Sequence, residues 1–226
     1  MLRKSLKYLL DDYNNEKCDE RINILEIGVY AGGSTLQICN FLKKNKINNF
    51  KIYCVDHWKK FSATQEKKWS FHEYILNKGL DSGKIFKIFN NNIKFSGFSE
   101  NIQTIVGSSK ESLKKIDNIK FDFAYIDGGH SYSIVKSDIE ESISLLKEKS
   151  FISGDDYEIS YEECDQEKIK ENIRDEKLDF CLDPKSKKVY HPGVTMAINE
   201  LFGNIPSYNG FWIQKKINNK FENVNL

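Results

Sequence analysis

The feature that most constrains this chain is a regular alternation of short β-type runs with longer stretches of helical periodicity. Such alternation is typical of a parallel sheet covered by helices, because parallel neighbours need a crossover connection. The helical stretches carry apolar residues three or four positions apart, as at Val135, Ile139 and Ile143. The predicted strands are Ile22–Ile27, Lys51–Val55, Ile102–Val106, Phe121–Ile126, Phe151–Gly154 and Phe211–Lys216. The sequence therefore predicts an α/β fold.

The length of the chain bounds its organisation. With 226 residues it can form one α/β domain with a sizeable core, and we predict a single domain over residues 1–226. Two polar inserts, residues 57–84 and 157–191, follow predicted strand ends, where open α/β sheets bind ligands. These inserts are the natural places for a lid or for substrate walls.

Charge and hydropathy argue against several classes of partner. Lys and Arg number 34 against 33 Asp and Glu, a formal net charge of +1, so no global field attracts nucleic acid or an anionic membrane. The apolar runs are far shorter than the roughly 20 residues of a membrane helix. The N-terminus lacks the continuous apolar core of a secretory signal, and the five cysteines form no CxxC pair. We expect a cytoplasmic protein with reduced thiols.

A glycine-rich segment follows the first predicted strand. Gly28, Gly32 and Gly33 let the backbone approach a ligand closely, and the helix predicted to begin near Gly33 offers free N–H groups. The spacing is not GxGxxG, and no GxxxxGK[ST] motif occurs, so the usual phosphate-binding loops are absent. Glu26, at the end of a buried strand, would repel a pyrophosphate and suits a cationic amino group. A nucleotide-like ligand with such a group is the expectation.

Residues at the next strand ends suit the remaining parts of a nucleoside. Asp56 closes the second strand, where an acidic residue binds the two ribose hydroxyls. The indole of Trp58 suits one face of an adenine, with core packing as the alternative. Ser108, in Gly107-Ser108-Ser109, suits the adenine edge, with a helix N-cap as the alternative.

The most specific feature is a set of acidic residues after two further strands. Asp127 begins an Asp-Gly-Gly-His sequence that ends at His130, and Asp155 and Asp156 follow the next strand. Three carboxylates at one sheet edge repel one another unless a cation or protons intervene. Oxygen ligands select Mg²⁺ first, then Mn²⁺ or Ca²⁺, while capping of a turn is the alternative role for the Asp pair.

Of the histidines considered, His130 alone is assigned a role. His130 lies three residues after Asp127 and titrates near neutrality, so it is the candidate general base. His72 and His191 are expected to be ordinary surface histidines without a role.

These motifs resemble those of class I S-adenosylmethionine-dependent methyltransferases. LEIGVYAGGST is similar to their first motif as found in catechol and caffeoyl-coenzyme A O-methyltransferases. YIDGGHSY, SDIEESISLLK, ISGDDY and HPGVTMAINE resemble the macrocin O-methyltransferase family, metal-dependent enzymes that act on sugar hydroxyls. The resemblance covers roughly residues 22 to 216. It implies a Rossmann-like, doubly wound, mostly parallel seven-stranded sheet with helices on both faces.

The resemblance also implies roles for individual residues, which follow from matching positions. The S-adenosylmethionine contacts would be Glu26, Gly28 and Ser34 near the methionine portion, Asp56 at the ribose, Trp58 and Ser108 near the adenine, and in addition Tyr30 and Asp127. The metal ligands would be Asp127, Asp155 and Asp156, binding Mg²⁺ or Mn²⁺. Catalysis would fall to His130 as the base together with Asp127.

The expected function is a metal-dependent O-methyltransferase that methylates a hydroxyl of a sugar or glycoside. A catechol-like acceptor is an open alternative. A dinucleotide-dependent oxidoreductase is disfavoured by Glu26 and by the missing GxGxxG, and a non-catalytic binding module by the intact acidic set. The segment Leu6–Tyr13 would serve either an interface in a homo-oligomer or packing on its own domain.

Overall fold

The computed structural model describes residues 1–15, 20–59 and 71–224. Its helices are α1 (Leu2–Asn15), α2 (Gly33–Lys44), α3 (Phe71–Asp81), α4 (Lys84–Ser96), α5 (Ser109–Lys114), α6 (Tyr132–Leu145), α7 (Gln166–Asn172) and α8 (Pro192–Phe202). Its strands are β1 (Ile22–Ile27), β2 (Phe50–Asp56), β3 (Ile102–Val106), β4 (Phe121–Ile126), β5 (Leu146–Tyr157), β6 (Cys181–Leu182), β7 (Val189–Tyr190), β8 (Ser207–Tyr208), β9 (Gly210–Ile217) and β10 (Lys220–Asn223).

Seven strands form a continuous sheet in the order β10-β9-β5-β4-β1-β2-β3, and the short β8 pairs with β9 as an eighth. Strands β3, β2, β1, β4 and β5 run parallel, whereas β9 is antiparallel to β5 and β10 is antiparallel to β9. The predicted Rossmann-like, mostly parallel α/β fold is confirmed. The hairpin partner β10 was not predicted, because its four residues, KFEN, carry no strong strand pattern.

The core divides into two layers, one on each face of the sheet. On one face, Ile24, Ile52 and Phe123 pack against α1, α2 and α4. On the other face, neighbouring residues such as Leu25 and Ala124 pack against α5, α6 and α8. Successive residues of a strand point to opposite faces, so strands buried on both faces are almost continuously apolar. Burial on both faces thus explains the short, continuous apolar runs by which the strands are recognised in the sequence.

Helix α1 packs on its own domain. Leu6 is fully buried, and Leu9 and Leu10 are nearly so, in the layer that also holds α2. Of the two roles open for the segment Leu6–Tyr13, the apolar side of the helix therefore serves intramolecular packing.

The two inserts differ in how far they are described. Residues 60–70 of the first insert lie outside the described ranges, and α3 forms its second part. The second insert contains α7 and the β6–β7 hairpin, and Ile159, Cys164, Ile169 and Tyr190 form a small separate core there. The second insert therefore has a small packed interior of its own.

Membrane-spanning helices and cysteine pairing can be stated for the described ranges. No helix within residues 1–15, 20–59 and 71–224 has the length and hydropathy needed to cross a membrane. The four cysteines in these ranges, Cys39, Cys54, Cys164 and Cys181, are free thiols, as predicted, and Cys18 lies outside them.

Strand register brings the sequence-predicted residues to one edge of the sheet. Ile27 pairs with both Val55 and Ile126, and Ile126 pairs with Gly154. The four residues that follow these aligned positions are Gly28, Asp56, Asp127 and Asp155. The parallel ladder therefore fixes which side chains share the carboxyl edge, independently of their distance in sequence.

Candidate active site

Two adjoining cavities lie at this edge. The first has a volume of about 390 Å³, is lined by Ile27, Val55 and Ile134 among others, and has Asp56 at its border. The second, of about 610 Å³, is more polar. Its acidic lining residues are Asp127, Asp155 and Asp156. The two cavities share Gly28, Tyr30, Asp127 and Gly128, so they adjoin as two halves of a groove across the ends of β1 and β4.

Gly28 stands at the point where the cavities meet. Its φ is +82°, and its N–H donates a hydrogen bond of 3.0 Å to the Val55 carbonyl. A Cβ atom at this position would lie 1.8 Å from the backbone oxygen of Asp127. Any side chain would therefore both strain the backbone and separate the ends of β1 and β4.

Asp56 holds the glycine-rich loop. Its Oδ2 accepts hydrogen bonds of 2.9 Å from the N–H groups of Val29 and Tyr30, and its Oδ1 accepts one of 2.7 Å from Trp58. A carboxylate offers about four lone-pair sites, so three N–H partners leave capacity for a ligand hydroxyl. Asp56 lines the first cavity, and its ribose role stays a prediction.

Trp58 lies in the apolar core. It is 5% exposed, its indole packs against Phe86 and Phe89 at 4.8 and 4.9 Å between ring centroids, and its Nε1 donates to the Tyr30 carbonyl at 2.7 Å. Trp58 is not among the described residues that line the first cavity. This is the packing alternative that the sequence left open, and adenine contact receives no support from it.

Ser108 lines the first cavity and also caps α5, since its Oγ accepts a hydrogen bond of 3.4 Å from the Glu111 N–H. The two roles foreseen for it are therefore compatible.

Glu26 is fully buried and lines neither cavity. Its carboxyl accepts hydrogen bonds from Ser34 and, at 2.6 Å, from Thr35, and the Cys54 thiol is 3.6 Å away. Burial raises the pKa of Glu26 to about 7, although the hydroxyl donors act in the opposite direction. Glu26 thus holds the first turn of α2 through its hydrogen bonds to Ser34 and Thr35, without lining either cavity. Ser34 is the member of this group that borders the second cavity.

The acidic residues of the second cavity perturb one another. Burial, together with the charges of Asp156 and Asp155, raises the pKa of Asp127 to about 6, while Tyr125 donates a hydrogen bond of 3.1 Å to its Oδ2. Burial also raises the pKa of Asp155. The three carboxylates do not all converge within 4.8 Å. Negative charge concentrated in a partly dry cavity favours a bound cation.

His130 is held between two carboxylates. Its Nε2 lies 3.1 Å from Asp156 Oδ2, and its Nδ1 lies 2.6 Å from Asp179 Oδ1. Burial lowers the pKa of His130, but the hydrogen bonds to Asp156 and Asp179 outweigh burial and raise it to about 10. In this arrangement the imidazole is cationic at neutral pH, so its predicted role as a base requires that the contact with Asp156 be released.

His191, which was expected to have no role, lies beside His130. The two rings are 4.4 Å apart between centroids, and His191 Nδ1 is 2.8 Å from Glu158 Oε1. Gly193 allows this approach, because a Cβ there would lie 2.2 Å from the His130 carbonyl oxygen. His130, Asp156 and His191 bring ligand atoms within 4.8 Å of one another, the single such group found in the described ranges. His191 is therefore not an ordinary surface histidine, since its side chain is 15% exposed and paired with Glu158, and the expectation that it has no role is not tested by these contacts. The side chain of His72 is not described.

Sequence reasoning missed three residues of this region besides His191: Glu158, Asp179 and Asp138. Glu158 and Asp179 belong to the second insert and pair with the two histidines. Asp138, on α6, lines the first cavity and is 2% exposed. A charged residue on the apolar side of α6, between Val135 and Ile139, was the one signal in the sequence that could have identified it.

Comparisons with known proteins bear on the family and the fold of the chain. A family model described as a methyltransferase domain matches residues 25–157, more than half of the chain. A search of curated proteins finds no match.

Several solved structures resemble the chain. The O-methyltransferase NovP is 12% identical with a TM-score of 0.60, over 95% of this chain and 79% of NovP. The O-methyltransferase from Bacillus cereus in complex with SAH is 18% identical with a TM-score of 0.48, over 80% and 62% of the respective chains. Cofactor-bound Rv0187 from MTB is 17% identical with a TM-score of 0.41, over 59% and 48%. The chain thus spans about half the length of Rv0187, and at these identities the likeness concerns the fold.

Replacing Gly28 tests the close approach of β1 and β4. We expect Gly28→Ala to lower the free energy of unfolding by at least about 1–3 kcal/mol, because it combines a left-handed φ with a backbone clash. Urea denaturation measures the change. Gly33→Ala is the matched control, since a Cβ at Gly33 meets nothing within 4 Å. Equal stability of the two variants would contradict the geometry.

The pairing of His130 predicts its titration in chelator-treated protein. A histidine pKa raised from 6.5 to about 10 means that its pairing stabilises the fold fully below pH 6.5, and that this contribution is lost as pH rises toward 10. NMR of the imidazole should show a cation through pH 8, and Asp179→Asn should lower the pKa. A neutral imidazole at pH 7.5 in the wild type would refute the pairing.

Proposed function

The chain belongs to the family of methyltransferase domains and is an enzyme of that class, and from this premise we propose that it transfers the methyl group of S-adenosylmethionine to a hydroxyl of a sugar or glycoside. The observation that carries the proposal is the pair of adjoining cavities over the sheet edge, in which an apolar cavity bordered by Asp56 meets an acidic cavity at Gly28 and Asp127.

The division of the groove suits the parts of this cofactor. A purine fits the first cavity between apolar side chains, with the ribose at Asp56 where the glycine-rich loop begins. The methionine portion would pass Gly28 toward Ser34 and Gln37, which border the second cavity. The sulfonium methyl would then lie near the carboxylates, in the cavity open to an acceptor. Glu26 would act through Ser34 rather than by direct contact.

We propose that the acidic cavity binds a divalent cation, Mg²⁺ or Mn²⁺, around which the three carboxylates would have to draw closer than they lie here. Asp127, Asp155 and Asp156 line one cavity and offer oxygen ligands alone, which is the chemistry that selects hard cations, and the charges of Asp156 and Asp155 raise the pKa of Asp127. A cation held by them would supply a Lewis acid that lowers the pKa of the acceptor hydroxyl. A second candidate set is His130, Asp156 and His191, whose ligand atoms do converge; imidazole ligands would favour Zn²⁺ or another transition metal.

Methyl transfer needs a proton acceptor as well as a positioned hydroxyl. The acceptor oxygen forms a bond to the methyl carbon while the carbon–sulfur bond breaks, leaving S-adenosylhomocysteine, and the hydroxyl proton passes to a base. His130 borders the same cavity and is the proposed base, in the neutral form that it would adopt once its contacts with Asp156 and Asp179 no longer stabilise the cation. The polar lining by Gln37, Asp155 and Asn209 suits a polyhydroxylated acceptor.

Cofactor binding tests the first part of the proposal. Asp56→Ala should weaken S-adenosylhomocysteine binding at least about tenfold, since hydrogen bonds to a charged acceptor contribute roughly 1.5–3 kcal/mol each. Calorimetry measures the dissociation constant, with NAD as the comparison ligand. The exposed Asp117→Ala is the control. Equal affinity in wild type and Asp56→Ala, or preference for NAD, would contradict the assignment.

Activity measured on a panel of nucleotide sugars and glycosides tests the metal. A chelator should lower product formation about 100-fold or more, because Lewis-acid assistance is worth several kcal/mol, and Mg²⁺ or Mn²⁺ should restore it. Asp155→Asn should behave like the chelated enzyme while S-adenosylhomocysteine still binds. Restoration by Zn²⁺ but not Mg²⁺, abolished by His191→Ala, would favour the histidine set. Full turnover in excess chelator would remove the metal altogether.

A further inference from the structure

Two imidazoles face the same carboxylate at the border between the second cavity and the second insert. Asp156 Oδ2 lies 3.1 Å from His130 Nε2, and Asp156 Oδ1 lies 3.8 Å from His191 Nδ1. The three side chains are 23%, 27% and 15% exposed for His130, Asp156 and His191, so water has limited access to the atoms between them. These residues form the histidine set, whose members come from the chain segments after β4 and β5 and from the end of the insert.

The spacing of the histidine set suits a transition metal. Nitrogen and oxygen ligands bind Zn²⁺ at about 2.0–2.1 Å, so two ligands of a tetrahedral ion lie about 3.3 Å apart. The contact between His130 and Asp156 already has about this length, and the contact between His191 and Asp156 is about 0.5 Å longer. Two imidazoles and one carboxylate select Zn²⁺, Co²⁺ or Ni²⁺ over Mg²⁺, unlike the oxygen ligands of the three carboxylates.

Two carboxylates of the second insert support the imidazoles. His130 Nδ1 lies 2.6 Å from Asp179 Oδ1, which leaves Nε2 to face Asp156. A carboxylate on the second ring nitrogen orients a metal-binding histidine and makes it a better ligand. Glu158 Oε1 lies 2.8 Å from His191 Nδ1, and Glu158 Oε2 accepts a hydrogen bond of 3.2 Å from the His191 backbone N–H. Glu158 is thus held beside the set, where a fourth ligand of a tetrahedral ion can join.

The charges around the two rings also favour a cation. Asp156, Asp179 and Glu158 bring three carboxylates into contact with two imidazoles. In the metal-free chain an imidazole proton offsets part of this negative charge. A metal that binds imidazole nitrogens displaces such protons and supplies positive charge in their place.

We propose that the histidine set binds a transition metal of the zinc class, and that this metal inhibits the enzyme. The inhibition rests on the proposed function, in which His130 is the base and Asp156 is a ligand of the hard cation. A metal on His130 Nε2 occupies the lone pair that would accept the proton of the acceptor hydroxyl. The same metal binds Asp156, so the histidine set and the three carboxylates compete for their metals.

The experiment uses Co²⁺ as the probe, because its visible absorption reports imidazole ligands, and Mn²⁺, followed by electron paramagnetic resonance, for the three carboxylates. Both are titrated into the full chain after removal of metal with a chelator. His191→Ala should weaken Co²⁺ binding at least about tenfold, since even a supporting residue of a metal site contributes 10–100-fold, and should retain Mn²⁺ binding. Asp155→Asn should weaken Mn²⁺ binding and retain Co²⁺ binding. His57→Ala, which removes an exposed histidine outside the set, is the matched control for Co²⁺.

Competition for Asp156 gives a second measurement. Zn²⁺ should release Mn²⁺ from wild type, and about tenfold more Zn²⁺ should be needed to release it from His191→Ala. With the panel of acceptors and Mg²⁺ present, Zn²⁺ should lower product formation by wild type at least about tenfold. The Zn²⁺ concentration needed for that inhibition should rise in His191→Ala by the same factor as the loss of Co²⁺ affinity.

Several outcomes would overturn the proposal. Equal Co²⁺ affinity of wild type and His191→Ala would remove the site, as would a loss of Co²⁺ binding in Asp155→Asn but not in His191→Ala. If His191→Ala fails to fold, His191→Gln removes the imidazole and keeps a hydrogen-bonding side chain. Turnover supported by Zn²⁺ would overturn the inhibition. A wild type that binds Co²⁺ through His191, yet binds no S-adenosylhomocysteine and methylates no acceptor, would instead refute the proposed function.

Discussion

The site depends on the close approach of two backbones at the carboxyl edge of the sheet, where Gly28 lies against Asp127. The Gly28 N–H continues the ladder to Val55 and the Asp127 N–H continues it to Ile27, at 3.0 and 2.8 Å. The absence of a side chain at Gly28 allows this distance. A larger residue would separate β1 from β4, and the groove that joins the two cavities would be interrupted.

Buried acidic groups are the second constraint on this structure. Burial raises the pKa values of Glu26 and Asp138 to about 7 and that of Asp127 to about 6. A carboxyl whose pKa is higher in the folded state binds more protons there, so the folded state loses stability as pH rises from about 4 to 7. Hydroxyl donors offset this loss at Glu26 and partly at Asp138. At the second cavity, a bound cation or a cationic imidazole would offset the stability that is lost when the carboxylates ionise.

The second insert, residues 157–191, supplies carboxylate partners for both histidines. Asp179 pairs with His130 and Glu158 pairs with His191, while the insert has its own core around Ile159. Glu158 and His191 both belong to the insert, whereas Asp179 pairs with His130 outside it. His130 is cationic while Asp156 and Asp179 hold it, and the same residue can accept a proton only when that arrangement changes. The Asp179 contact from the insert thus helps to hold His130 in its cationic form.

The sequence by itself determined the sheet, its helical layers and the residues at its carboxyl edge. Apolar runs identify strands, and parallel hydrogen bonding brings strand ends together, so Gly28, Asp56 and Asp127 could be grouped without coordinates. Tertiary packing decided what local pattern does not encode, namely the direction of each side chain and the contacts between distant segments. It placed the side chain of Trp58 in the core. It also brought His191 to His130, 61 positions away in the sequence, and Asp138 to Ser109, 29 positions away. Those contacts depend on how helices and inserts pack over the sheet, and packing is a property of the whole chain.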